Sequence, residues 1–288
     1  MVVSSSTSDS SVNPEAIISY EFPETLFTYT ERDVALYALG VGACSGDAVD
    51  EKELKYVYHK NGQPFIQVLP TFAALFNSGT IQNFKTLPDL QFDPRLLLHG
   101  QQYIEIYNSL PSSACVSLFK SDFPGKAAVV EVETTSYEKE SGKLLCMNRL
   151  TAFLRGAGGF SKSSPPYSYS KYPADQILPV SIPKCQPFAV YEECTQQSQA
   201  CIIHDNALLY RLSGDYNPLH SDPMIATVAG FSRPILHGLC TLGFAVRAII
   251  KCACNGEPTM VKSILGRFLL HVYPGETLIT EMWLEGPR

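Results

Sequence analysis

Asp215, Asn217 and His220 fall within the segment Ser213-Gly-Asp-Tyr-Asn-Pro-Leu-His220. A carboxylate and an imidazole are the usual pair for moving protons near neutral pH, and a partly buried acid can hold a proton that its neighbour needs. Gly214 and Pro218 break the helix that precedes them, so the three polar side chains sit on a tight loop where they can converge. The same residues also suit an Asx-type turn, with Asp215 and Asn217 capping backbone amides and His220 incidental. A second element bears on the choice. Pro234-Ile-Leu-His-Gly-Leu239 places Gly238 at the start of a long helix. Free N–H groups there stabilise developing negative charge, and glycine admits a ligand close to the backbone. That is the chemistry of an oxyanion hole for a thioester carbonyl. Alone, His237-Gly238 also reads as a plain helix start.

The elements that must position these residues come in two similar series. The first half predicts a short helix over Glu31–Gly40, a strand leading into a helix over Phe65–Phe76, and strands over Leu96–Tyr107, Ala128–Thr134 and Leu144–Leu154. The second half predicts a short helix over Ala207–Ser213, a long one from Pro234 to about Cys252, and strands over Phe268–Tyr273 and Thr277–Trp283 around a Pro274-Gly275 turn. Residues 157–199, rich in Gly, Ser and Pro, read as a crossover linker, and residues 1–20 as a disordered leader without secretory-signal character. A helix plus strands, twice, predicts an α+β fold of two sheets, each wrapped on a central helix: residues 21–156 and 200–288. If the halves match, two strands are due after Trp283, so the second repeat is expected to lack its last strands.

Composition narrows the function. A net charge of −6 argues against a nucleic-acid partner. No apolar run is long enough to span a bilayer. The nine cysteines are scattered, and Cys252-Ala-Cys254 lacks zinc-finger spacing and a second pair, so free thiols and no metal are expected.

Tyr210–His220, Ser221-Asp-Pro223, Ala229-Gly-Phe231 and Pro234–Phe244 together closely resemble the type 2 enoyl-CoA hydratases, the (R)-specific, MaoC-like enzymes of peroxisomal β-oxidation. Stand-alone plant hydratases and the hydratase part of the peroxisomal multifunctional enzyme are the most similar in pattern. Leu97–Tyr103, Arg155–Phe160 and Tyr273–Leu278 extend the resemblance over nearly the whole chain from about Tyr29.

The resemblance implies a double hot dog fold in which only the second repeat is catalytic. The first has Gly40-Val-Gly-Ala43 where the second has Gly214-Asp-Tyr-Asn217, and it is expected to house the acyl tail. The implied reaction is reversible hydration of a trans-2-enoyl-CoA to a (3R)-3-hydroxyacyl-CoA, with Asp215 and His220 as the acid–base pair, Asn217 orienting them and the Gly238 N–H as oxyanion donor. His220 is the expected base, and the opposite assignment stays open. His99, Gly100, Tyr216, Pro218, Leu219 and Phe268 would line the substrate groove, with Lys126 a weak substitute for a CoA-contacting lysine. The resemblance implies no cofactor beyond the coenzyme A of the substrate, and it implies a homodimer and a peroxisomal address, although Gly286-Pro-Arg288 is not a peroxisomal tripeptide. Cys201–Asn206 reads as an insertion, and its His204-Asp205 as a second candidate dyad. A catalytically impaired, acyl-CoA-binding or dimer-forming protein of the same fold is the competing expectation.

Overall fold

A computed structural model of the chain describes residues 20, 22–78, 92–121, 129–155, 181–199 and 202–286. The leader, Lys126, residues 156–160 and most of the expected linker lie outside them.

The first repeat is built from β1 (Thr25–Tyr29), α1 (Glu31–Gly40), the single turn α2 (Glu51–Leu54), and strands β2 (Leu97–Ile106), β3 (Ala114–Ser121), β4 (Val129–Glu138) and β5 (Leu144–Leu154). The strands form one antiparallel sheet in the order β1-β3-β4-β5-β2. β4 alternates strictly, burying Val130, Val132, Thr134 and Ser136. That is the period-two signature of a strand with one face on a core. Thr30 closes α1 with a capping box, since Asp33 accepts from both the backbone N–H and the hydroxyl of Thr30.

The segment expected to run from strand into helix over Phe65–Phe76 is instead a 3₁₀ helix, Pro70–Asn77, in which every residue is buried. Encased on all sides, it has no polar face to fix an amphipathic α-helical period, so tertiary fit sets its backbone.

The second repeat holds β6 (Ala189–Cys194), β7 (Gln196–Gln199), β8 (Ile202–Asp205), α3 (Asn206–Arg211), α4 (Pro223–Val228), α5 (Gly238–Ala253), β9 (Ser263–Arg267) and β10 (Thr277–Met282). It begins earlier than a linker over 157–199 allows. β6 alternates between partly buried and exposed residues and pairs along its length with β10. Pro183 and Pro187 mark the approach to that strand and do not exclude it. The inserted Cys201–Asn206 segment supplies β8, which pairs with β7 as a separate hairpin. The strand expected over Phe268–Tyr273 lies just before it, as β9. The ladder ends where Phe268 N–H donates to Gly100 C=O at 2.9 Å, and Leu269 and Leu270 beyond it are exposed.

β6 and β10 correspond to β1 and β3, and β9 to β2. β9 pairs antiparallel with β2, so the seam between the repeats runs through the sheet. Among the described residues no strand lies between β10 and β9, where β4 and β5 lie in the first repeat. This is a double hot dog, with the second repeat's sheet divided into two pieces. No described helix is long and apolar enough to cross a membrane.

The central helix α5 buries Cys240, Gly243, Phe244, Val246, Arg247, Ala248 and Ile250. Arg247, 1% exposed, donates through Nε to Val41 C=O at 2.9 Å and forms ion pairs with Glu53 of α2 and Glu193 of β6. The first repeat meets this cation through the loop that follows α1. That loop, residues 40–43, is packed onto it. Gly42 has φ +86°, and a Cβ there would lie 2.4 Å from the Phe244 ring. Only glycine fits both demands, so the loop is committed to packing.

Candidate active site

The loop after α3 turns at Gly214, whose φ of +114° favours glycine. Asp215 Oδ1 then accepts from Asn217 N–H at 3.3 Å, and Asn217 Oδ1 accepts from Leu219 N–H at 3.0 Å, closing a short 3₁₀ turn over Pro218–His220. The Asx-turn reading is therefore real, and it coexists with the chemical one. Asn217 orients the loop backbone and, among the described residues, makes no side-chain bond to either partner of the pair.

His220 is held by Nδ1, 2.8 Å from the carbonyl oxygen of Ile235. A carbonyl only accepts, so Nδ1 carries the hydrogen and Nε2 is left with a free lone pair. Burial pushes the imidazole below its ordinary range, against the opposing pull of Asp215 nearby. A neutral ring with an unprotonated Nε2 is a competent base.

His99 reaches the site from the other repeat. β2 bulges between His99 and Gln101. A Cβ on Gly100 would meet the Phe153 ring at 1.9 Å, so the bulge needs a residue without one. Such a bulge re-aims a neighbouring side chain. Here His99 is fixed by Nε2 at 3.0 Å from Gln101 C=O, lies close enough to Asp215 to feel its charge, and is pushed down by burial to about 4. Phe268, at the end of β9, sets its ring edge-on to His99 at 5.1 Å and against Gly238, where a Cβ would be 3.2 Å away. Gly238 is the first residue of α5, and its N–H donates to no group among the described residues. An amide there carries the partial positive charge of the helix N-terminus.

Asp215, His220, His99, Gly238 and Phe268 thus gather at the seam of the two repeats. Other expected lining residues go elsewhere. Leu219 is buried in a small cluster with Ala229 and Ile235 and anchors the loop from behind. Tyr216 is 57% exposed under the Arg211 guanidinium, 5.1 Å from its ring centroid. Pro218 is exposed at the start of the 3₁₀ turn. Lys126 and the side chains of His204 and Asp205 lie outside the described residues. Sequence reasoning gave no chemical role to His237, whose ring lies against that of His220 with centroids 3.8 Å apart. A histidine next to the helix-opening glycine was the only signal.

His99, His220 and His237 are all shifted below the ordinary value of 6.5. From pH 6.5 down toward about 4, where His99 titrates, the folded protein therefore binds fewer protons than the unfolded chain. Stability from these groups is complete above 6.5 and is lost as the pH falls. The slope is at most about 1.4 kcal/mol per pH unit for each imidazole. The melting temperature should fall between pH 7.5 and pH 5, and less steeply in His99→Gln. A melting temperature that held or rose across that interval would contradict the assignment of neutral rings.

The comparisons with known proteins bear on the fold and the family. The family described as MFE-2 hydratase 2 N-terminal domain matches residues 27–156, and the MaoC like domain matches residues 187–288. The chain is 64% identical over 286 residues to the peroxisomal enoyl-CoA hydratase 2 of Arabidopsis thaliana, covering 98% of this chain and 90% of that protein. It is 37% identical over 277 residues to the peroxisomal multifunctional enzyme type 2 of Mus musculus, covering 94% of this chain and 35% of that longer protein. Among solved structures, the MaoC-like dehydratase from Phytophthora capsici superposes with a TM-score of 0.75 at 32% identity, covering 96% of this chain and 90% of that one. The full-length multifunctional enzyme type 2 of Drosophila melanogaster gives 0.70 at 33% identity, covering 91% of this chain and 43% of that one. The two matched domains follow one another as the two repeats do, and the chain belongs to the MaoC-like type 2 enoyl-CoA hydratase family.

Proposed function

We propose that the chain catalyses reversible hydration of trans-2-enoyl-CoA to (3R)-3-hydroxyacyl-CoA within peroxisomal β-oxidation. The observation that carries this is the unprotonated Nε2 of His220, on one short loop with Asp215, beside the free N–H of Gly238. The relatives named above as peroxisomal enoyl-CoA hydratase supply the substrate class and the compartment.

His220 Nε2 takes a proton from water as the oxygen forms its bond to C3. The alkene electrons move toward the thioester oxygen, where the Gly238 N–H meets the growing charge. Asp215, which enters the step protonated, delivers that proton to C2, and the proton gained by His220 then returns to Asp215 to restore both groups for the next turnover. Stabilising that enolate-like state more than the ground-state thioester is what lowers the barrier. Acid and base come from one loop, so both atoms add to the same face of the alkene. The coenzyme A of the substrate supplies the thioester, and this chain's residues need no other cofactor for these steps. His99 forms the wall from the neighbouring repeat, Phe268 stands against it from the end of β9, and the first repeat takes the acyl tail.

A homodimer is part of the proposal. Leu265, Leu269, Leu270, Ile279 and Leu284, each at least half exposed, offer apolar surface of the kind that partners bury.

The test is hydration of trans-2-decenoyl-CoA by the purified chain, with the product offered to (3R)- and (3S)-specific dehydrogenases and the mass read by light scattering. Oxidation by the (3R) enzyme alone is expected, from a particle of twice the chain mass. A (3S) product, or CoA-ester binding without turnover, overturns the proposed reaction, and a monomeric mass overturns the dimer.

A further inference from the structure

His237 is a buried imidazole for which the chemistry above has no use. It is 1% exposed, and its contacts are specific. Nε2 lies 3.2 Å from the backbone carbonyl oxygen of Asp215, so that nitrogen carries the hydrogen and donates it. The ring faces His220 at 3.8 Å between centroids, tilted by 30°, and Tyr210 packs on it at 4.9 Å. Its own carbonyl accepts from Thr241 N–H at 3.1 Å, which ties the residue to the first turn of α5, where the Gly238 N–H stands. One rigid side chain therefore touches the residue assigned as acid, touches the one assigned as base, and is continuous with the oxyanion donor.

We propose that His237 is a positioning residue for hydration: its N–H fixes the Asp215 backbone and its face fixes the plane of the His220 ring, setting both at a constant distance from the Gly238 N–H. The inference rests on the acid–base reading of Asp215 and His220. Misplacement of reacting groups by a fraction of a bond length is costly in rate. His237 is buried and presents no surface to a bound ligand, so the loss falls on kcat.

The test separates the two contacts and asks whether they act through His220. His237→Phe keeps a flat ring and removes the donor, while His237→Gln keeps a donor and removes the ring. Each should lower kcat for trans-2-decenoyl-CoA by about 10- to 100-fold, the scale of coupling between touching groups, with KM within about twofold. Each is then combined with His220→Ala. The residual rate should fall less than about threefold further, because residues that act as a unit lose their effects together. Near-UV circular dichroism identifies any variant that fails to fold, and the cycle is read on the other one. The same fractional loss in both backgrounds, a raised KM at unchanged kcat, or near-normal kcat in both variants overturns the positioning role. Near-normal turnover by His220→Ala alone is a separate failure, that of the acid–base reading itself.

Discussion

His220→Ala should lower kcat for hydration by about 10²–10⁴-fold, and Asp215→Asn by a comparable factor, while both proteins stay folded. The size follows from what each group supplies. Without the imidazole no neutral base faces the water, because the only hydrogen on the ring is committed to the Ile235 carbonyl on the far side. What remains is the Gly238 N–H and the binding of the thioester, which act on charge and not on protons. Asp215→Asn is the more searching substitution. An amide oxygen still accepts from Asn217 N–H as Oδ1 does at 3.3 Å, so the loop keeps its turn, while no proton can be delivered to C2. The losses should not multiply in the double variant, since either step alone leaves the reaction incomplete. The measurement is steady-state kcat beside a melting curve for each protein. A folded variant within about threefold of the parent rate would remove that residue from the mechanism.

The pair was legible in the sequence for a physical reason. Gly214 and Pro218 announce a break in local structure, and polar residues on a break cannot be explained as one face of a helix or strand. Strands β4, β5 and β10 were legible by the same route, because an alternating or β-branched run has one plausible conformation. Pro70–Asn77 was not, since a run buried on every side carries no period that separates helix types. The start of the second repeat was masked by composition: prolines precede β6 closely enough to make it look like linker. Phe268 and His99 were placed by resemblance and not by pattern. Their meeting depends on the β2–β9 pairing and on a bulge at Gly100, both long-range properties. His237 was passed over because a buried neutral histidine leaves no charge pattern in the chain. Arg247 is the extreme case. Alone in an apolar helix it carries no local sign of a partner, since Glu53 lies 194 positions away.

That buried cation sets the second large effect. Arg247→Met should destabilise the protein by about 3–5 kcal/mol, because removing one partner leaves two buried carboxylates facing each other without compensation. Glu53 and Glu193 are 3% exposed and mostly buried respectively, and among the described residues Arg247 is the arginine that pairs with both. Lys251 lies 3.6 Å from Glu53 and softens the loss without replacing the guanidinium, which also satisfies the Val41 carbonyl. Burial already lifts the Glu193 carboxyl above its usual value even with Arg247 beside it. In the variant that lift grows, so the folded protein takes up protons there that the unfolded chain does not. A carboxyl whose folded value is raised gains stability as the pH falls. The melting temperature of Arg247→Met should therefore lie well below the parent's at pH 8, by on the order of 10 °C, and the gap should narrow toward pH 5. Adding Glu53→Gln and Glu193→Gln removes the stranded charges, and the triple variant should recover most of the deficit at pH 8. Equal deficits at both pH values, or no recovery in the triple variant, would mean that the helix lost packing and not pairing. The cluster joins α2 of the first repeat to β6 and α5 of the second, and α5 begins at Gly238. A protein weakened there should lose turnover on warming before its secondary structure melts, because the seam that holds the site opens first.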